Sequence, residues 1–198
     1  MPCGRLLSRP IGAEAGRTIW TIKSQRGLNG RLALSSAWLY RLPLMDLKPG
    51  DKAPSFKLST DGGGNIGLSG LKGQPFVLYF YPKDDTAGCT KEAQGFSDNL
   101  KKFERLGVNL VGISKDSVAS HDRFKAKYKL KLTLASDSEL EAAQAYGVWG
   151  EKTLYGRKYM GMERATFLVD AKGVIREIWR KVKVPGHVEA VLAAAKAL

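Results

Sequence analysis

The 198-residue chain is 43% hydrophobic, enough to bury the core of one domain, and its 32 Lys and Arg against 19 Asp and Glu give a formal net charge of +13. It holds no uncharged apolar run approaching the ~18 residues that cross a bilayer, which excludes a transmembrane helix and predicts no membrane partner. Two cysteines, Cys3 and Cys89, without a C-x-x-C pair exclude a zinc ribbon and a dithiol redox motif, and they favour a reducing compartment over a disulfide-stapled secreted fold.

Residues 1–44 hold seven Arg or Lys and one acid, Glu14, so this stretch carries +6 of the charge and leaves +7 for the rest. It shows no sustained periodicity, and the expectation is a basic, disordered N-terminal extension ahead of a single domain over 45–198. Two readings stay open: an Arg-rich, Ser-rich, acid-poor organelle presequence, which implies a mitochondrion or plastid, or an upstream start with Met45 as the true one, which implies the cytoplasm. The uncharged residues 32–40 lie too far from the terminus to read well as a secretory signal. Further on, Arg123, Lys125, Lys127, Lys129 and Lys131 alternate with apolar residues, as a solvated face does. No nucleic-acid motif accompanies the charge, so no nucleic-acid partner is expected.

Six glycines between 61 and 73 predict hairpin turns and a connecting loop, and both phosphate-binding glycine patterns fail there because a turn is expected next. Residues 76–81, F-V-L-Y-F-Y, read as a buried strand stopped by Pro82. After the polar loop Lys83, Asp84 and Asp85, apolar side chains at Ala93, Phe96, Leu100 and Phe103 share one helical face. With Thr86 as N-cap, Ala87, Gly88 and Cys89 are the first three helical residues. Free amides and the positive end of the helix dipole favour an anion at that place, and a thiolate is one. The dipole supplies only about 1 kcal/mol, so a thiolate needs a cation from elsewhere in the chain.

Residues 107–114 predict the next strand, Asp116 or Ser117 caps a helix with Val118, Phe124 and Tyr128 inward, and 132–135 is a short strand. Ser138 and Glu141 suggest a capping box for a helix through 146. Residues 164–170 and 174–179 predict a β-hairpin, and 185–198 a closing Ala-rich helix with Pro185 in its first turn. Strands alternating with helices require right-handed crossovers and an α/β fold with a partly parallel sheet. No His, Asp or Glu cluster has metal-ligand spacing, so no metal or cofactor is expected, and the two histidines, His121 and His187, are expected to be exposed.

Pro82, Thr86 and Cys89 stand in the spacing P-x-x-x-T-x-x-C, which resembles the active-site loop of peroxiredoxins. The flanking F-Y-P-K-D-D-T-A-G-C-T-K-E-A resembles the bacterioferritin-comigratory or PrxQ subfamily in particular, as do L-K-P-G-D-K-A-P-S-F over 47–56 and the stretch 146–170. The resemblance covers 47–198 and implies a thioredoxin-like fold, a mixed central sheet flanked by helices. It implies a thiol peroxidase that reduces hydrogen peroxide and organic hydroperoxides through a Cys89 sulfenic acid. In such an enzyme Thr86 and Arg164 orient substrate and thiolate, and Pro82 covers the sulfur. The chain departs from the pattern at Ala87, where a proline is frequent, and at Gln94, where many members carry a resolving cysteine. The implied enzyme therefore works with one cysteine, as a monomer or weak dimer, and relies on an external thiol, thioredoxin or else glutathione with glutaredoxin. The competing reading is a non-catalytic thioredoxin-fold redox sensor or chaperone with Cys89 as its switch.

Overall fold

The computed structural model describes residues 46–154 and 156–198. The expectations for residues 1–44 and for Cys3 lie outside the described residues. In chain order the elements are β1 (Lys57–Thr60), β2 (Asn65–Gly67), α1 (Leu68–Leu71), β3 (Phe76–Phe80), α2 (Ala87–Arg105), β4 (Asn109–Ser114), α3 (Val118–Tyr128), β5 (Thr133–Ser136), α4 (Glu141–Ala145), β6 (Trp149–Leu154), β7 (Arg157–Met162), β8 (Ala165–Val169), β9 (Ile175–Trp179) and α5 (His187–Ala195). Among the described residues the main sheet has the order β2-β1-β5-β4-β3-β8-β9. Strands β3, β4 and β5 run parallel, joined by α2 and α3, while β8 pairs antiparallel with β3 and with β9. This is the expected mixed α/β sheet, and no helix of the described residues is long and apolar enough to cross a membrane.

Strand β3 lies inside the sheet between β4 and β8, and its five residues are all buried because a helix or a strand layer covers each face. Alternation sends Phe76, Leu78 and Phe80 into one core with Tyr146 and Phe167, and Val77 and Tyr79 into the other, with Cys89, Phe96, Phe124 and Val191. On the second face the Tyr79 ring stacks on Phe96 at 4.7 Å and lies across β4 above its register partner Gly112, where an added Cβ would sit 2.5 Å from the phenol. The end of this strand delivers the polypeptide into the loop before α2.

Several expectations are corrected. His121 is fully buried and His187 nearly so. His121 stands three residues before Phe124 on the inward face of α3, and its Nδ1 lies 2.9 Å from Asp84 Oδ2; His187 Nε2 lies 2.8 Å from Thr166 Oγ1. Each ring thus has a buried polar partner, which offsets its desolvation. The glycine-rich segment runs into a single helical turn, α1, rather than a plain turn. The α4 amides of Ala142 and Ala143 donate to the Asp137 carboxylate, so Asp137 does the work assigned to Ser138 and Glu141. The last helix begins at His187 behind Gly186, whose φ of 75° is left-handed, which places Pro185 outside it. Ser117 caps α3 as read, accepting from the Ser120 amide.

Candidate active site

Helix α2 starts where the sequence places it. Thr86 holds the N-cap position with extended φ and ψ, the first ladder bond runs from the Thr90 amide to the Thr86 carbonyl at 2.8 Å, and the amides of Ala87, Gly88 and Cys89 precede that ladder. The Thr86 hydroxyl makes no cap bond; it donates to the Lys83 carbonyl at 3.1 Å and closes the loop on itself. Cys89 is 2% exposed, packed among Ala93, Phe96 and Tyr79, and is the one cysteine among the described residues.

The missing cation is Arg164, on the residue before β8. Its Nη2 lies 3.2 Å from Cys89 Sγ while Nη1 donates to Glu92 Oε2 in a buried ion pair. Gly88 leaves room for this approach, since a Cβ there would stand 3.3 Å from Nη2. Burial works against the guanidinium's charge, but Glu92 and Cys89 beside it outweigh that and hold its pKa above the ordinary value. Burial pushes the Glu92 carboxyl up to about 7, with Arg164 opposing. Pro82 is half-buried and lines, with Arg164, Val148, Trp149, Lys152 and Tyr159, a cavity of about 800 Å³ between the β6–β7 hairpin and the loop after β9. Gln94 is exposed on α2.

Two groups of site residues escaped the sequence reading. Glu92 lies three residues after Cys89 and beside inward-facing Ala93, so its helical phase already pointed it into the interior. Asp84 and Asp85 read only as part of a polar loop, and they tie that loop to α3. The buried Asp84 carboxylate accepts from the Tyr81 hydroxyl and the Ser120 hydroxyl, each at 2.8 Å, and meets His121, while its amide donates to Asp116 Oδ2 at 2.8 Å. Asp85, with a left-handed φ of 56°, accepts from Lys127 Nζ at 2.6 Å and from the Tyr128 hydroxyl at 2.5 Å. These bonds fix the backbone that leads from β3 to the sulfur.

A buried thiol at a helix start, met by an arginine from a distant strand, is a nucleophile's setting, and the comparisons say whose. Residues 49–178 match the model of the AhpC/TSA family. The chain is 52% identical over 148 residues, 75% of its length and 98% of the relative's, to a putative peroxiredoxin Bcp of Coxiella burnetii. The chain belongs to the peroxiredoxin family. It is also 45% identical to peroxiredoxin Bcp of Bacillus subtilis, covering 77% of this chain and 97% of that one. A solved bacterioferritin comigratory protein of Xanthomonas campestris, characterised for its alkyl peroxide reduction activity, superposes with a TM-score of 0.69 at 44% identity, covering 72% of this chain and 90% of that one. This peroxiredoxin has the thioredoxin-like fold of that family and is a peroxidase, an oxidoreductase.

Proposed function

We propose that this peroxiredoxin reduces hydrogen peroxide and organic hydroperoxides through a sulfenic acid on Cys89, which an external thiol, thioredoxin or else glutathione with glutaredoxin, returns to the thiol. The observation that carries the reading is the 3.2 Å contact between Arg164 Nη2 and Cys89 Sγ at the first turn of α2. The thiolate attacks one peroxide oxygen, a sulfur–oxygen bond forms as the oxygen–oxygen bond breaks, and the other oxygen leaves as hydroxide or alkoxide and takes a proton from water. Negative charge spreads from sulfur to two oxygens in this step, and Arg164 together with the amides ahead of the α2 ladder is oriented to stabilise it. Pro82 lines the cavity beside Arg164, and Thr86, whose hydroxyl is tied to the Lys83 carbonyl, helps to orient the substrate in this reading. The cavity beside Pro82, with Val148, Trp149 and Tyr159, has room for the organic part of a hydroperoxide. The alkyl peroxide activity of the Xanthomonas relative supports that substrate class.

Recycling follows from cysteine placement. Gln94 offers no thiol, and Cys89 is the one cysteine among the described residues, which supports a second sulfur supplied by a separate molecule. The test is steady-state turnover of hydrogen peroxide and of an alkyl hydroperoxide with thioredoxin, thioredoxin reductase and NADPH, repeated with glutathione and glutaredoxin. Peroxide-dependent NADPH loss that disappears in Cys89→Ser supports the reading. No loss with either donor would overturn it. With peroxide and no reductant, mass spectrometry is expected to show successive oxygen additions at Cys89.

A further inference from the structure

The Glu92 carboxyl takes no part in the steps above, yet it is fully buried one helical turn after Cys89, and both acids converge on one guanidinium. Its Oε2 accepts from Arg164 Nη1, and its Oε1 has no hydrogen-bond partner. We infer that Glu92 is a positioning residue for the peroxidase reaction: it holds the Arg164 fork so that Nη2 faces the sulfur, and by gaining or losing a proton it sets how much of that charge the sulfur receives.

The anchoring half rests on what else holds the guanidinium. Among the described residues its head bonds only Glu92 and Cys89. An arginine stem has many rotamers to lose, so a fork tied at one nitrogen presents the other at a fixed place, and an untied one does not. The electrostatic half rests on counting charges in a dry site. A thiolate and a carboxylate against one guanidinium leave an excess negative charge in the interior, so each ionisation opposes the other. Burial places Glu92 at about 7, where a change in the sulfur's charge decides its state. The thiolate keeps a proton on Glu92, and a neutral sulfenic acid lets it go.

The groups facing this pair do not supply an alternative. On β3, burial and then Glu92 itself hold the Tyr79 phenol well above its ordinary value. On α5, burial and then Arg164 hold His187 down at about 4, and Glu189 is exposed. In the loop, Asp84 is raised by burial, but His121, Tyr81 and Ser120 bring it below the usual carboxylate range. On the Arg164 side stand Lys152 of β6, bonded to the Met162 carbonyl and lowered by burial, and Glu163, paired with Arg180.

This inference rests on Arg164 being the cation that serves Cys89, and the experiment separates the two. The second-order rate of peroxide with the reduced enzyme is measured against pH for the unmodified protein, Glu92→Gln, Glu92→Ala and Arg164→Ala, with the thermal midpoint of each. The unmodified profile is expected to fall at a pH above 7, because the thiolate holds the proton on Glu92 beyond the value that burial sets, and Glu92→Gln is expected to lose that fall. Glu92→Ala loses roughly tenfold or more, because the fork is no longer tied, and Glu92→Gln restores the larger part of it. Equal profiles for the unmodified protein and Glu92→Gln, or full speed in Glu92→Ala, overturn the inference; full speed in Arg164→Ala overturns the function proposed above. A readout that needs no variant is the infrared difference between peroxide-treated and reduced protein near pH 7, expected to show loss of a protonated-carboxyl band. An unchanged carboxyl region overturns the inference as well.

Discussion

Replacing Glu92 by Gln is expected to stabilise the protein, and only above mildly acidic pH. An exposed glutamate ionises near 4.5, whereas burial moves this one to about 7. Between those two values the folded protein binds a proton that the unfolded chain has released, so stability falls as pH rises through that window and the deficit is complete above 7. At ~1.4 kcal/mol for each tenfold change in proton affinity, the ceiling of the deficit is about 3 kcal/mol. Gln has the shape of the neutral acid and keeps an acceptor for Arg164 Nη1, so it avoids this cost without opening a cavity. Urea unfolding of both proteins at a series of pH values reads the difference directly. The two curves should coincide at the acidic end, below the ordinary glutamate range, and separate across the window, with Glu92→Gln above. A separation that does not depend on pH, or Gln falling below the unmodified protein at high pH, would mean that the Arg164 ion pair outweighs the burial of the carboxylate and that the reasoning is wrong.

Arg164→Ala should slow both peroxide reduction and thiol alkylation of Cys89 at neutral pH, the former by roughly 10²–10³-fold, and Arg164→Lys should recover only part because an ammonium cannot reach Glu92 and Cys89 together. Stopped-flow rates with folding checked by circular dichroism decide it. Gly112→Ala puts a methyl 2.5 Å from the buried Tyr79 phenol, which is stacked and cannot retreat, so a loss of about 1–3 kcal/mol is expected in denaturant unfolding. Asp137→Ala removes the acceptor of two α4 amides and should cost about 1–2 kcal/mol, whereas Ser138→Ala should change stability little.

The strands that build the centre of the sheet were legible because β3, β4 and β8 are short runs of apolar and β-branched residues between turn signals, and the α2 face was legible from the spacing of Ala93, Phe96 and Phe103. The β6–β7 hairpin was not, since Arg157, Lys158, Tyr159 and Met160 are all exposed and a ribbon that packs on one short side shows no alternation. His121 and His187 were misjudged because a polar residue's inward direction is set by a partner remote in sequence, Asp84 for one and Thr166 for the other. Cys89 and Arg164 could be named from sequence spacing and resemblance, but their meeting depends on β3 pairing with β8, a contact that no local pattern encodes. Glu92 needed only the helical phase of Ala93 to be noticed.

The sulfur lies under the surface, 2% exposed, and this matters differently for small and large reactants. In the proposed reaction the oxidant is a small peroxide, which needs only a narrow way in beside Arg164. A protein thiol must bring its own sulfur to within ~2 Å along the line of the bond it makes, and the backbone around that thiol does not fit into the same opening. In a peroxidase recycled by such a partner, the first turn of α2 and the loop before it must come away from the body for a moment. The bonds that resist are those of Asp84 and Asp85 to α3, while β3 stays in its ladder between β4 and β8. The free energy of that local opening, not of global unfolding, then sets how long an oxidised sulfur waits. Every closed interval would then be time in which a second peroxide arrives first, so in such a peroxidase the hydrogen bonds of Asp84 and Asp85 to α3 would govern how many turnovers precede over-oxidation.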